Sequence, residues 1–544
     1  MCGFVGYLGK RSLVELEKNF SKIQHRGPDH TEFKDFRGPA TLWFHRLAIN
    51  GLTSNSNQPM NLRSSGGFLG LGGSRLKDLW LVCNGEIYNH RALAQKYNIT
   101  TQTSSDCEII LQLFLEIGMH KLCKELDGVF SFCLYNEKTK IMYAARDRYG
   151  VRPAFFGKNV ETGEVCISSE IKAISEISTD IQPFPPGSHW SSEFPDSFYH
   201  YYDYNYTPYK IDEISEEEAC QEINKLLRES VRKRMMSDRE VGCLLSGGLD
   251  SSLISALVAQ NLSEKKLKTF SIGMKGSPDL KYAQMVADHI GSEHHVVSVS
   301  TEDLISAIPR VIYDIESYDT TTVRASVGNY LVGEYIRKNT DVKVVFNGDG
   351  SDEVCMGYLY NQSAPSDLDF FRENQKLLTE IHYFDVLRSD RSVSSHGLEA
   401  RTPFLDRDFV KYYMELPVHL KTFRDFTPEK YLLRTAFAAE NLLPDVVLWR
   451  TKCAFSDAMS TQENSWHKIA QSFVEHMITD EEFEKYGSRM THCKPLLKES
   501  YYYRKVFEEA FGKRFVNVIP HLWVPNWTDT IDPSARELLN YREA

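Results

Sequence analysis

The chain has 544 residues, 42% of them apolar and 25% charged, with a formal net charge of −11. At roughly 150 residues per domain this length implies two or three cores, and the composition is that of a folded chain rather than a disordered or collagen-like one. The acidic balance argues against a binder of nucleic-acid phosphates; apolar runs such as 109–117 are too short to cross a bilayer; and eleven cysteines without a CxxC pair speak for free thiols and against a disulfide framework or a structural zinc site.

The opening residues, MCGFVGYLGKRSL, lack the apolar core of a secretory signal, which predicts a reducing, cytoplasmic setting. Removal of Met1 would make Cys2 the first residue, and its free α-amine would then sit beside its own thiol as a base. A cysteine at position 2 means little alone. Around it, however, stand four polar insertions among apolar segments: HRGPD at 25–29, HRLAI at 45–49, CNGEIYN at 83–89 and SSDCE at 104–108. An enzyme acting on free glutamine needs oxyanion donors and opposite charges for the substrate's carboxylate and ammonium, and Arg46, Asn84, Gly85 and Asp106 are residue types that supply them.

The Gly-rich segment 64–78 reads as an extended hairpin or loop. Between Asp106 and Leu126, Ile109, Ile110, Leu113, Phe114 and Ile117 follow helical spacing. FSFCLYN at 130–136 and IMYAARD at 141–147, joined by Glu137 to Lys140, predict a hairpin. The first two hundred residues are thus expected to be α+β with antiparallel sheet. The segment 203–213, DYNYTPYKIDE, suits a linker or surface strap.

Beyond it the pattern changes. VGCLL, KTFSIGM, HHVVSV and VKVVFN read as strands, alternating with helical stretches Ser251 to Gln260, Lys281 to Ile290 and Ser326 to Lys338. That alternation predicts a parallel, doubly wound sheet with its site at the carboxyl ends of the strands. LLSGGLDSS, residues 244–252, follows the first of these strands and opens a helix. Gly247 and Gly248 permit a tight turn that aims backbone N–H groups at one anion, Ser246, Ser251 and Ser252 add hydroxyl donors, and Asp250 suits a Mg2+ bridging to phosphate. A second acidic loop, NGDGSDE at 347–353, follows another strand and should lie beside the first; Asp349, Asp352 and Glu353 are candidates to hold metal or move protons, a solvated acidic loop being the plain alternative. The remainder, from about 360, reads as mostly helical and Pro-punctuated.

Taken together, MCGFVGY, HRGPD, NGEIYNH, LDGVFSF, ARDRYGVRP, FPPG, LLSGGLDSS, GSDEV, HGLEARTPFLD, FSD and DPSAR resemble, in order and over nearly the whole chain, the glutamine-hydrolysing asparagine synthetases of the class II glutamine amidotransferase type. The resemblance implies an α+β amino-terminal nucleophile hydrolase domain at 1–203, a linker at 204–213, and an α/β ATP-pyrophosphatase domain with a parallel doubly wound sheet at 214–544. It implies that Cys2 forms a glutamyl thioester, with Asn84 and Gly85 at the oxyanion hole and Arg46, Leu47, Ala48, Ile49, Asn50, Glu86 and Asp106 around L-glutamine. Ammonia would cross an internal tunnel. At the second site, Ser246, Gly247, Gly248, Asp250, Ser251 and Ser252 would hold the pyrophosphate of ATP, Leu245, Ile272, Asn347 and Gly348 the nucleotide, and Asp250 and Asp352 Mg2+. Thr321, Thr322, Arg324 and Lys452 resemble residues that bind L-aspartate or its adenylate, with Asp349 acting on the intermediate. The resemblance implies no nucleic-acid or membrane partner and admits a homodimer.

Three positions depart from the family's pattern: Asp349 stands where SGEGSDE has Glu, Asn347 where Ser is usual, and Cys453 where Glu often follows the Lys. The shorter acid bears on the rate of the synthetase half, because small displacements at a reacting centre are costly. Rival readings are an amidating homologue with another carboxylate acceptor, a β-lactam-forming relative, and a non-catalytic nucleotide or ammonia sensor.

Overall fold

The computed structural model describes residues 1–61, 78–208, 214–262, 265–423, 427–451, 455–461 and 465–538. The Gly-rich segment therefore lies outside the described residues except for Asp78, and so do Lys452 and Cys453.

The amino-terminal half contains two antiparallel sheets. One holds β1 (Gly3–Leu8), β2 (His30–Asp35), β3 (Ala40–Arg46), β7 (Phe155–Lys158), β8 (Val165–Ser168) and β9 (Asp180–Pro183); the other holds β4 (Leu79–Ile87), β5 (Gly128–Asn136), β6 (Ile141–Arg146), β10 (Ser188–Ser191) and β11 (Phe198–His200). Alternation along the strands builds the layers, since successive side chains point to opposite faces. In β5, Cys133 and Tyr135 enter the core between the sheets together with Phe4, Leu42, Phe44 and Val82. Phe130, Phe132 and Leu134 turn the other way, beneath the helix Glu108–Glu125. On the far face of the first sheet, Val5 and Tyr7 meet Leu16 and Phe20 of the helix Leu13–Phe20. The result is a four-layer sandwich of two sheets flanked by helices.

The predicted hairpin is present, with Asn136 opposite Ile141 and Ser131 opposite Arg146. The predicted helix is interrupted: Gly118 takes φ 71 and ψ 169, a conformation open to a residue without Cβ, and divides Glu108–Glu125 into two helices. Within the described part of the strap, residues 203–208, Tyr206 is buried and Tyr204 donates its hydroxyl proton to the carbonyl of Arg148.

The second half is built on a fully parallel five-stranded sheet in the order β14 (Glu293–Ser298), β13 (Lys268–Gly273), β12 (Val241–Leu244), β15 (Val344–Phe346), β16 (Glu399–Arg401). Helices cover both faces. Val344 and Phe346 pack with Leu253, Ile254 and Leu257 of the helix Leu249–Gln260, whereas Val345 packs with residues of Thr301–Ile315 and Thr320–Asn339. Chain order reverses between β12 and β15, a topological switch point of the kind that places a crevice at the carboxyl ends of the strands.

Strand β16, from HGLEARTPFLD, interrupts a region that by pattern alone reads as helical. Three residues flanked by a left-handed Gly397 and Pro403 give too short a period to be seen; the strand exists because β15 supplies a partner. β16 is also the seam between the halves. Arg401 reaches Glu399 at 3.0 Å and Glu86 of β4 at 3.7 Å, Glu399 lies 3.6 Å from Arg152, and the amino-terminal ammonium of Met1 donates to the carbonyl of Leu398 at 3.1 Å. No helix of the described residues is long and apolar enough to cross a membrane.

Candidate active sites

Strands β1, β3 and β4 bring the first set of residues together. Cys2 precedes β1, and its backbone N–H donates to Oδ1 of Asn84 at 3.0 Å. Its sulfur accepts from the N–H of Leu47 at 3.4 Å, just past the end of β3. Burial pushes the thiol up to about 11, so it is protonated in this environment and needs a base before it can attack. Asn84 is fully buried, and its Nδ2 meets no acceptor among the described residues. A buried amide donor without a partner carries a desolvation penalty of about 1–3 kcal/mol unless a ligand oxygen takes its proton. Gly85 follows it on β4, opposite Phe130.

The loop after β3 is built by its own backbone. Arg46 donates to the carbonyl of Thr53 at 3.0 Å, to Oδ1 of Asn57 at 2.6 Å and to the carbonyl of Gly51. These acceptors are neutral, and Asp29 acts on the guanidinium from nearby. Asp29 of HRGPD caps the N–H of Ala48 at 2.9 Å. The second half grips the same loop: Arg239 donates to the carbonyl of Ala48 at 2.9 Å, and Asp238 accepts the N–H of Gly51 at 2.8 Å. Asn50 donates to Glu86, whose carboxyl burial holds well above the usual range; Asp106, accepting the N–H of Ile87 at 2.7 Å, is raised by the same cause. Cys2, Arg46 to Asn50, Asn84 to Glu86 and Asp106 thus belong to one neighbourhood.

The crevice of the parallel sheet holds a cavity of about 200 Å3. Leu245, Ser246, Gly248, Asp250, Ser251, Ile272, Thr321, Asn347, Gly348, Asp349 and Asp352, all read from the sequence, line it. The first loop is pinned internally, with the hydroxyls of Ser246 and Ser251 2.9 Å apart. Gly247 takes φ +81 and lies behind the cavity wall; a Cβ there would come within 2.4 Å of the backbone nitrogen of Ala283. Ser252 is buried in the helix and lies outside the lining. The two loops touch: Ser351 donates to Asp250 at 2.8 Å, and a Cβ on Gly348 would stand 2.7 Å from that of Asp250. A smaller cavity adjoins, lined by Thr321, Thr322, Glu353, Tyr358, Asp385, Arg388 and Trp523 among others. Thr321 turns a buried hydroxyl toward this region that meets no partner among the described residues.

Arg324 is the sequence-predicted residue the fold takes elsewhere. Thr321, Ala325, Asn329 and Val332 form the stripe of their helix that lines the cavity. Arg324 lies off that stripe and is engaged by Glu499 at 2.8 and 2.5 Å and by Asp532 at 2.8 and 2.9 Å. A buried guanidinium goes where its carboxylates are, and these come from 175 and 208 residues away.

Conversely, sequence reasoning passed over Lys430, Asp385, Arg388 and Arg450, all of which line the cavity. Lys430 stands 2.6 Å from both Asp250 and Asp352. Arg450 donates to the carbonyl of Gly247 at 3.1 Å and pairs with Asp279 at 2.7 Å. The charged residues of PEKYLLR and LWRTK, breaking apolar runs, were the available signal.

Asp349 is gripped from two sides. Nδ2 of Asn347 donates to Oδ2 at 2.6 Å and Arg388 donates to Oδ1 at 2.9 Å. Burial, with Asp385 adding to it, pushes the carboxyl up to about 6, Arg388 acting in the opposite direction.

No group of three or more His, Cys, Asp or Glu side chains suited to holding a metal ion occurs among the described residues. Two carboxylates facing a phosphate loop fit Mg2+ nonetheless, because that ion is usually bound by one or two carboxylates plus substrate phosphates and water.

Two family models match the chain: "Glutamine amidotransferase domain" over residues 1–184 and "Asparagine synthase" over residues 222–376 and 363–528. Curated relatives described as asparagine synthetase (glutamine-hydrolyzing) include one from Rattus norvegicus, 39% identical over 576 residues and covering 100% of this chain and 99% of its own. Those from Mus musculus and Homo sapiens are 40% and 39% identical over 573 residues and cover 100% of both chains.

Proposed function

We propose a two-site scheme for a chain that belongs to the glutamine-hydrolysing asparagine synthetase family: it makes L-asparagine from L-aspartate with ammonia taken from L-glutamine, driven by ATP. Glutamate, AMP and pyrophosphate are the other products, and β-aspartyl-AMP is the intermediate. The observation that carries the scheme is the presence in one chain of Cys2 beside the unpartnered amide of Asn84 and of a cavity at the switch point of the parallel sheet.

At the first site, with Met1 removed, the α-amine of Cys2 takes the proton of its thiol. The thiolate attacks the glutamine carboxamide, and the oxyanion accepts from Nδ2 of Asn84 and the N–H of Gly85. Ammonia leaves, and water hydrolyses the thioester to glutamate. The guanidinium of Arg46 suits the α-carboxylate, while Glu86, Asp106 and the loop Leu47 to Asn50 bound the substrate. The buried seam at β16 supports passage of ammonia inside the protein, since the Cys2 side of that seam adjoins the strand next to the Asn347–Asp349 loop.

At the second site the loop Ser246 to Ser252 receives the pyrophosphate portion of ATP, and the backbone at Leu245, Ile272, Asn347 and Gly348 flanks the nucleotide. Asp250 and Asp352 would hold Mg2+, which offsets phosphate charge when bound. The aspartate side-chain carboxylate attacks the α-phosphorus and pyrophosphate leaves; ammonia then displaces AMP. Asp349, with its raised acidity range, is suited to take a proton from the attacking ammonia. Thr321 and Thr322 line the acceptor end, and Lys452 belongs to the same set; Arg324, of the same helix as the threonines, is held by Glu499 and Asp532. The reading divides the chain at 1–203 and 214–544 and carries with it a cytoplasmic location and room for a homodimer.

The test is asparagine and pyrophosphate formation by purified protein, comparing glutamine with ammonia. Product from both donors, and from ammonia alone in Cys2→Ala, is expected. Equal pyrophosphate release with unrelated carboxylic acids would sink the assignment of aspartate as acceptor.

A further inference from the structure

We propose that Asn347 is a positioning residue for Asp349, a role that rests on the two-site reading and concerns two of the three positions at which this chain departs from the family's pattern. The two departures touch each other. Nδ2 of Asn347 donates to Oδ2 of Asp349 at 2.6 Å, and Oδ1 of Asn347 accepts the backbone N–H of Asp349 at 3.3 Å. The amide is itself fixed: Nδ2 also donates to Ser389 at 2.7 Å, and its own backbone N–H donates to the carbonyl of Arg401 on β16 at 3.1 Å. Asn347 is 4% exposed, so water does not compete for these bonds.

The arrangement answers a reach problem. An aspartate carboxylate lies one methylene closer to its backbone than a glutamate carboxylate, and at this site it has two competing directions. Arg388 draws Oδ1 toward the smaller cavity while also pairing with Asp385. Asn347 draws Oδ2 toward the end of β15. Held by both, the carboxylate has one orientation at the wall of the larger cavity, beside Arg388 and Asp385, which line both cavities. A serine at 347 lacks the second heavy atom beyond Cβ from which the amide donates. It would leave Oδ2 without this donor and the carboxylate free to swing onto Arg388. In this chain Asn347 and the shorter acid at 349 therefore act as a unit.

A double-mutant cycle tests this: Asn347→Ser, Asp349→Glu and the two combined, read as aspartate-dependent pyrophosphate release and as asparagine formation from ammonia. Because misplacement at a reacting centre can cost on the order of 100-fold, Asn347→Ser is expected to lower kcat by about tenfold or more, with KM for ATP moving less than twofold. Asp349→Glu in the Asn347 background is expected to be impaired as well, because the longer acid meets an amide built for the shorter one. The combined variant is expected to recover kcat above either single variant. Effects that simply multiply, a kcat for Asn347→Ser within twofold of the unsubstituted enzyme, or equal losses in kcat and ATP affinity would overturn the proposal. Pyrophosphate release is also read with other carboxylic acids in place of aspartate, so it reports on the pair whichever acid is activated. Failure of the unsubstituted enzyme to form asparagine would therefore count against the functional reading and leave the cycle decisive for the pair.

Discussion

The ammonium of Lys430 lies 2.6 Å from a carboxylate oxygen of Asp250, and equally 2.6 Å from Asp352 on the other loop of the crevice. One cation thus ties the loops after β12 and β15 together at the place where phosphate and Mg2+ charge would have to be balanced. Two carboxylates so close to one another repel unless a cation stands between them. Replacing Lys430 by Met is expected to lower pyrophosphate release by at least about 100-fold, the order of loss that follows removal of one preorganised transition-state donor, and, because two neighbouring carboxylates lose their cation, to lower the Mg2+ concentration needed for what remains. Glutamine hydrolysis measured alone should persist. Unchanged pyrophosphate release in Lys430→Met would show that the lysine only fastens the loops.

Asn84 offers the opposite dissection. Its buried Nδ2 has no acceptor among the described residues, while its Oδ1 accepts from Cys2. Substituting alanine removes one oxyanion donor, for which losses of about 10²- to 10³-fold in kcat are usual. Glutamine-dependent synthesis is expected to fall by that amount, with synthesis from added ammonia within about twofold of normal. A parallel loss with ammonia would mean that the substitution disturbs the sheet and not the oxyanion.

Asp349 gives the synthetase half a pH signature. Its carboxyl is pushed up to about 6 from the ordinary 3.8. The ionised form is the one that can take a proton, so pyrophosphate-coupled synthesis should rise with pH through about 6 and level off above it. For stability the sign is reversed. A raised folded-state value means that the native protein binds this proton more tightly, so the contribution is present below about 3.8 and is lost as pH rises through about 6. A steady-state profile of Asp349→Asn that keeps the limb near 6 would assign it to another group.

Arg324 is expected to act on the fold. Its guanidinium is held by Glu499 and Asp532 in a buried triad, and its backbone carbonyl accepts from Trp466 at 3.1 Å. Removing one member of a buried ion group typically costs about 3–5 kcal/mol because the partner charges remain buried. Arg324→Met should therefore lower the melting temperature markedly. A normal melting curve with a selective rise in KM for aspartate would return Arg324 to the substrate.

Much of this molecule is written locally. LLSGGLDSS specifies a strand, a tight turn and a helix by its own residues, because glycine permits φ +81 at Gly247 and the apolar runs on either side have strand and helix character. The hairpin of β5 and β6, the change from antiparallel to parallel architecture and the crevice between the two loops follow from the same short-range signals; the neighbourhood of Cys2, Arg46, Asn84 and Asp106 is assembled by strands far apart in the chain.

What sequence alone left open was decided by partners far along the chain. The three-residue β16 has no periodicity of its own and forms only against β15, yet it carries Glu399 and Arg401 into the seam between the halves. Gly118 breaks a helix whose apolar spacing runs straight through it. Charged side chains show the same dependence: Arg324, Lys430 and Arg388 are alike in a sequence, and each is assigned by the carboxylates that tertiary packing brings to it. Backbone conformation is set within a few residues, where the relevant energies are sterics and local hydrogen bonds. The destination of a buried charge is set by which opposite charges are desolvated beside it, and only the folded chain determines that.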